Sequence, residues 1–148
     1  DLSLINKLAN YFGTQSISVI VDVKKNILGN YKIYNYKKNE FYNRYNLKEY
    51  LSKIKNNGAG EIIINSVNKD GLMQGMDLNL IKLLKDKTEI PLVFYGGVGK
   101  LSHLNEVFFE GVDAIACSSF FCFHGNFKSI LITYPFEELE KIKHNDHL

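Results

Sequence analysis

PLVFYGGVGK, residues 91–100, runs from an apolar stretch straight into three glycines within four positions. An apolar run that empties into a Gly-rich turn is how a buried parallel strand meets a loop able to hold a phosphate. The two best-defined phosphate motifs do not fit. A P-loop requires glycine where Phe94 stands and Ser or Thr where Leu101 stands, and a dinucleotide fingerprint requires glycine where Ser102 stands. The stretch therefore argues for a parallel α/β sheet before it says what its loop holds.

Working outward, the same alternation repeats. Leu4, Ile5, Leu8, Tyr11 and Phe12 recur at helical spacing, with Gly13 as C-cap. SISVIVDV, Ser16 to Val23, reads as a strand ending on an acid. Lys24 to Asn43 breaks the pattern and reads as an excursion hairpin around Gly29-Asn30, long enough to act as a lid beside Asp22. Leu47, Leu51 and Ile54 mark a helix closed by Asn57-Gly58. EIIINSV, Glu61 to Val67, is a second buried strand, and Asp77 is the expected N-cap of a helix carrying Leu80, Ile81 and Leu84. Pro91 opens the third strand, and Ser102 is the expected cap of a helix with Leu104, Val107 and Phe108. AIACSS, Ala114 to Ser119, is the fourth strand, and Phe136, Leu139 and Ile142 give a last helix before the polar tail KHNDHL. A faint repeat, Gly58–Ile62 and Gly111–Ile115, joins helix end to strand start twice.

The order is one helix followed by four βα units in one domain, residues 1–148. Two architectures fit: a small open doubly wound sheet, or half of a (β/α)₈ barrel. Noteworthy residues close all four strands: Asp22, Asn65 to Gly71, Gly96 to Lys100, and Ser118 with Ser119. A barrel places its chemistry on that rim, whereas an open sheet concentrates it at one switch point. The spread favours the barrel.

Bulk properties exclude more than they assign. The 148 residues are 45% hydrophobic, enough for a sizeable core, and the net charge of +2 with scattered lysines points to no nucleic acid. No apolar stretch approaches the about 18 residues of a membrane span, and no signal peptide opens the chain. The first residue is Asp1 rather than methionine, which reads as a piece of something longer or a processed product. Cys117 and Cys122 are expected to be buried, reduced thiols of a cytoplasmic protein. The four histidines have no ligand spacing, so neither metal nor cofactor is expected.

Two sets of residues carry chemistry. Gly96, Gly97 and Gly99 allow backbone N–H groups to approach an anion, and Ser118 and Ser119 add donors from the next strand. Asp22, an acid on an apolar strand, is expected to be desolvated towards a general acid–base range. Asp70 reads on its own as a turn residue. Glu61 lies at the opposite, N-terminal end of its strand, where charge serves stability.

Four blocks, in order and spacing, carry a resemblance: LINKLANYFGTQSISVIVDVKK, NNGAGEIIINSVNKDGLMQGMDLNLIK, IPLVFYGGVGK and EGVDAIACSSFF. Together they resemble the C-terminal half of the cyclase subunit (HisF-type) of imidazole glycerol phosphate synthase. That family is a (β/α)₈ barrel of two similar halves. It uses ammonia from a HisH-type glutaminase partner, in a heterodimer, to cleave and cyclise a bis-phosphorylated ribulosyl substrate of histidine biosynthesis. The products are imidazole glycerol phosphate and an aminoimidazole carboxamide ribotide.

The resemblance implies that Asp22 is the catalytic aspartate of the fifth barrel strand. It implies that Asp70 follows the sixth strand, and that Gly71, Gly96, Gly97 and Ser119 surround one substrate phosphate, with no need for Lys100. Glu61 and Gln15 then belong to the barrel floor, where ammonia enters and the glutaminase docks. Two positions depart from the family: Asn68 replaces a common Asp, and Tyr95 replaces a Ser and would crowd the phosphate pocket. INSV…DGLMQGMDL more closely resembles the branch of the family associated with surface polysaccharides, and that resemblance implies the alternative role of supplying ammonia for amidating nucleotide-linked sugars. A third reading is a non-catalytic, phosphate-binding half-barrel. The resemblance also implies a second catalytic aspartate on the barrel's first strand, which lies in the other half; without it the 148 residues are expected to be nearly inactive, and with open sheet edges they are expected to self-associate.

Overall fold

The computed structural model describes residues 1–125 and 127–144; the end of the polar tail, 145–148, lies outside the described residues. Helix α1 (Leu2–Phe12) is capped by Asp1, whose carboxylate accepts from the Ser3 N–H, and ends at Gly13. A 3₁₀ turn at Thr14–Ser16 feeds strand β1 (Ser18–Lys25). Ser16 is therefore in a turn, and the strand runs two residues past the expected end at Val23. Those added residues have a partner: β2 (Tyr31–Asn35) pairs antiparallel with Val23–Lys25, and β3 (Glu40–Phe41) pairs antiparallel with β2. The expected single hairpin is thus a three-stranded meander hydrogen-bonded to the sheet rather than a loose loop.

The remaining units follow the expected alternation. They are α2 (Leu47–Asn56), β4 (Glu61–Ser66), α3 (Leu78–Leu84), β5 (Leu92–Tyr95), α4 (Leu101–Phe108) and β6 (Ala114–Ala116). Asn46 and Asp77 cap α2 and α3 through side-chain oxygens that accept from Glu49 and Leu80 N–H groups, as the local sequence requires. Ser102 is not a cap. Helix α4 begins one residue earlier, and Lys100 at its cap position makes no side-chain capping bond.

The fourth strand is also shorter than AIACSS suggests. The backbone leaves the extended region at Ser118 (φ −118°, ψ −51°), and Ser119 opens a one-turn helix, α5 (Ser119–Cys122), pinned by buried Phe120. A small hairpin, β7 (Phe123–His124) with β8 (Ser129–Ile130), then precedes α6 (Phe136–His144).

The six-stranded sheet has the order β3-β2-β1-β4-β5-β6, and β1, β4, β5 and β6 are mutually parallel. Because successive side chains alternate between faces, each parallel strand splits its residues. Val21, Val23, Ile62, Ile64, Leu92 and Phe94 pack against Leu51, Ile54, Leu80, Ile81, Leu84, Leu104 and Val107 of the helices in one continuous core. Registered neighbours on the other face are Ser18 with Glu61, Ile20 with Ile63 and Val93, and Asp22 with Asn65 and Tyr95. Of these only Val93 is buried, and Ile20 is 65% exposed.

Helix α1 likewise turns Leu4, Leu8, Tyr11 and Phe12 outward. The accessible surface is 9570 Å², against about 7,700 Å² for a compact monomer of this mass. The excess matches a sheet with helices on one face only.

Candidate functional site

Three side chains form a row across the C-terminal end of the open face: Asp22 on β1, Asn65 on β4 and Tyr95 on β5. Asn65 Nδ2 donates to Asp22 Oδ1 at 2.8 Å. That bond fixes the amide's orientation, because turning it over would set an oxygen against a carboxylate. Asn65 Oδ1 is consequently aimed away from Asp22, is buried, and has no donor among the described residues. A buried acceptor left in this way costs about 1–3 kcal/mol, so the row is built to receive an N–H or O–H from something else. Asp22 is half-buried and hydrogen-bonded rather than sealed in apolar surroundings.

Beside this row lies a small, narrow cleft lined by Asp70, Gly71, Tyr95, Gly96, Gly97, Val98, Cys117, Ser118 and Ser119. Asp70, Gly71, Gly96, Gly97, Ser118 and Ser119 therefore meet in one place, whereas Gly99, also nominated for the anion, is not among the lining residues. Lys100 is not among the lining residues. Gly96 and Gly97 take φ values of 102° and 101°, where a side chain is strained. Space forbids one on Gly97, where a β-carbon would sit 2.3 Å from the carbonyl oxygen of Gly75, and is tight on Gly96, where it would sit 3.2 Å from that of Ser66. Tyr95 does narrow the cleft, with its hydroxyl 3.2 Å from Ser118 Oγ. Cys117 is partly buried and unbonded to Cys122, and burial pushes its thiol up to about 11. Asp22 opens instead onto a larger groove shared with Ile20, Tyr34, Tyr36 and Lys37 along the free part of β1. Asn65 and Tyr95 are what connect the two depressions.

Gln15 and Glu61 both lie at the other end of the sheet, Gln15 in the 3₁₀ turn before β1 and Glu61 at the start of β4. Ser18 Oγ donates to Glu61 Oε1 at 2.7 Å. Gly60 lies so close to the 3₁₀ turn that a β-carbon there would be 2.4 Å from the Thr14 carbonyl oxygen. The turn that carries Gln15 is thereby pressed against the start of β4.

Asn68, the first departure from the family pattern, does not line the cleft. Its Oδ1 accepts the Lys25 N–H at 2.8 Å, which ties the meander to the loop after β4. Buried Asp77 strengthens that tie by accepting from the Tyr31 hydroxyl at 2.6 Å and pairing with Lys25 at 3.5 Å, in addition to capping α3. Burial and the bond to Asp77 raise the Tyr31 pKa. The bond to Tyr31 and the charge of Asp77 raise that of Lys25. Of these roles of Asp77, the local sequence announces only the cap. Asn65 carried a visible signal, an amide inside a β-branched strand, and His103 another, a lone histidine on an apolar helix face. Among the described residues no three His, Cys, Asp or Glu side chains converge as a metal site, and no helix is long and apolar enough to cross a membrane.

This geometry has relatives. The model of the family described as histidine biosynthesis protein matches residues 1–128. The chain belongs to that family. The family is a (β/α)₈ barrel, and this chain carries four of the eight βα units. An imidazole glycerol phosphate synthase subunit HisF of Campylobacter jejuni is 36% identical over 124 residues, covering 82% of this chain and 49% of the relative. The subunit of the same name from Thermotoga sp. is 34% identical over 123 residues, covering 82% and 47%. A Pseudomonas aeruginosa protein provisionally named as subunit hisF2 of that synthase is 33% identical over 136 residues, covering 91% and 54%. The chain thus spans about half the length of the curated relatives it matches.

Proposed function

We propose that this histidine biosynthesis family chain supplies the C-terminal half of a cyclase subunit of imidazole glycerol phosphate synthase. The observation that carries the proposal is the cleft in which Asp70, Gly71, Gly96, Gly97, Ser118 and Ser119 converge beside the Asp22–Asn65 pair. A doubly phosphorylated ribulosyl substrate has a tetrahedral anion at each end. One end enters the glycine cleft, where backbone N–H groups and serine hydroxyls supply donors. The body of the substrate then lies across the open face, over Asn65 and Asp22.

On this reading Asp22 moves protons during ring closure, and Asn65 orients its carboxylate. The unpartnered Asn65 Oδ1 accepts an N–H from the substrate or from incoming ammonia. Glu61 and Gln15 lie at the floor, through which ammonia from a glutaminase partner passes, and the reaction is cytoplasmic. The complete barrel is required. A second acid–base group and a second phosphate site belong to the other half, so the 148 residues by themselves are nearly inactive and associate through their uncovered face.

The test is ammonium-dependent conversion of the ribulosyl substrate by the full-length protein. Asp22→Asn is expected to lower kcat by about 10²–10⁴-fold, the range typical of a positioned acid–base group. Unchanged turnover in that variant overturns the assignment. Absence of turnover in a folded full-length protein overturns the activity itself.

A further inference from the structure

The residues that line the glycine cleft do not hold it in shape by themselves. Gly97 is fastened to the loop after β4, since its carbonyl accepts the Gly75 N–H at 2.9 Å. Gly99 presses on the same loop, where a β-carbon would lie 2.3 Å from the Met73 carbonyl oxygen. Its own N–H is received by Nδ1 of His103, in the first turn of α4, at 3.2 Å. His103 is 8% exposed. Its ring also underlies Gly75, where a β-carbon would stand 3.8 Å from the Cδ2 and Nε2 atoms. One imidazole therefore sits beneath both loops that form the cleft while lining none of it.

We propose that His103 is the positioning residue of this cleft: as a neutral imidazole it fixes Gly99, and protonating it frees the glycine loop and weakens anion binding. The inference deepens the phosphate reading given above and rests on it. The chemistry is one of roles. Nδ1 accepts only when it carries no proton, so the ring is the tautomer protonated at Nε2. A proton at Nδ1 would set two donors against each other across 3.2 Å.

Burial disfavours the imidazolium first, and the positive charge of Lys100 does so next, with Lys69 of the neighbouring loop adding to it; Glu106 on α4 opposes them. The net result is a pKa below the usual imidazole value of 6.5. A group that folds neutral contributes its full stabilisation above its ordinary pKa. That contribution is lost as the pH falls from there through the lowered value. The contact is thus intact at neutral pH and fails in acid.

The test uses inorganic sulfate, a tetrahedral dianion whose charge is constant between about pH 5 and 8, the interval in which imidazoles titrate. Sulfate is titrated into the chain across that interval while the amide signals of Gly96, Gly97 and Gly99 and the His103 ring are followed by NMR. Wild-type affinity is expected to fall in acid by up to about tenfold, the worth of one such hydrogen bond, and the Gly99 signal should titrate with the His103 ring. His103→Asn keeps an acceptor that cannot titrate, so its sulfate affinity should stay near the neutral wild-type value throughout. His103→Leu should bind weakly at every pH. Persistence of the acid loss in His103→Asn overturns the proposal, as does a Gly99 signal indifferent to the His103 titration. If sulfate never binds while Gly99 still tracks His103, the phosphate reading fails and the positional link stands.

Discussion

The two faces of the parallel sheet are made from alternate residues of the same strands, yet they obey different rules. On the helix-covered face, Ile62, Ile64, Leu92 and Phe94 are at most 2% exposed and interlock with Leu51, Ile54 and Leu80. On the other face, one residue further along each strand, stand Asp22, Asn65 and Tyr95, two of them hydrogen-bonded to each other and one with an oxygen that has no donor among the described residues. The first face is satisfied within this chain. The second is not, in apolar contact at Ile20 or in polar contact at Asn65. One strand pattern therefore sends stability to one side and chemistry to the other, and only the stability side is finished by the residues described.

The largest test of that division is Ile64→Ala, on the finished face. It should cost about 2–5 kcal/mol, the usual loss for a fully buried aliphatic side chain, read as a lower urea midpoint. A cost under about 1 kcal/mol would mean that this face is not a packed core. Next comes Gly97→Ala, at the rim where the faces end. The strained backbone and the approach to Gly75 predict a loss of about 1–3 kcal/mol, together with loss of sulfate shifts at Gly96 and Gly97. Wild-type binding in that variant would remove Gly97 from the cleft.

Asp77→Ala tests whether the meander is a fixed part of the sheet. It removes a cap and the partners of Tyr31 and Lys25, at an expected cost of about 1–2 kcal/mol, with faster hydrogen exchange at Tyr31–Ile33 as its signature. Stability lost without that signature would confine Asp77 to capping. The smallest effect on stability belongs to Ile20→Ser, within about 0.5 kcal/mol for so exposed a side chain. It should nonetheless shift the isolated chain towards monomer in sedimentation. An unchanged association state would show that the open face is not what copies of this chain share.

Much of this was legible in the sequence, for physical reasons. Helices with apolar residues at 3.6-residue spacing and strands rich in β-branched residues gave the alternation. Pro91, Asp77 and Gly13 punctuated it where backbone chemistry demands. The cleft residues were legible because they sit just after strand ends, where a parallel sheet must present its loops.

What was not legible depended on tertiary pairing. The two-residue extension of β1 exists because β2 pairs with it, and no local signal in Lys24-Lys25 announces that. Ser102 has the chemistry of a cap, but the chain enters α4 one residue earlier, and His103 rather than Ser102 binds the preceding backbone. Ser118 and Ser119 read as strand continuations, since only the burial of Phe120 turns the chain into a helix there. Asn68 and Tyr95 looked like defects in a phosphate site. One instead holds the meander, and the other reaches Ser118 across the cleft.

The meander has a further consequence. β2 occupies the outer edge of β1 only at Val23, Lys24 and Lys25, and among the described residues no strand lies beside the edge from Ser18 to Asp22. Any strand laid along that edge can advance about five residues, about 16 Å, before it strikes Ile33. β2 is in effect a ruler with a stop, which sets both the length and the alignment of whatever completes the sheet. The side chain on β1 that faces the end of that scale is Asp22.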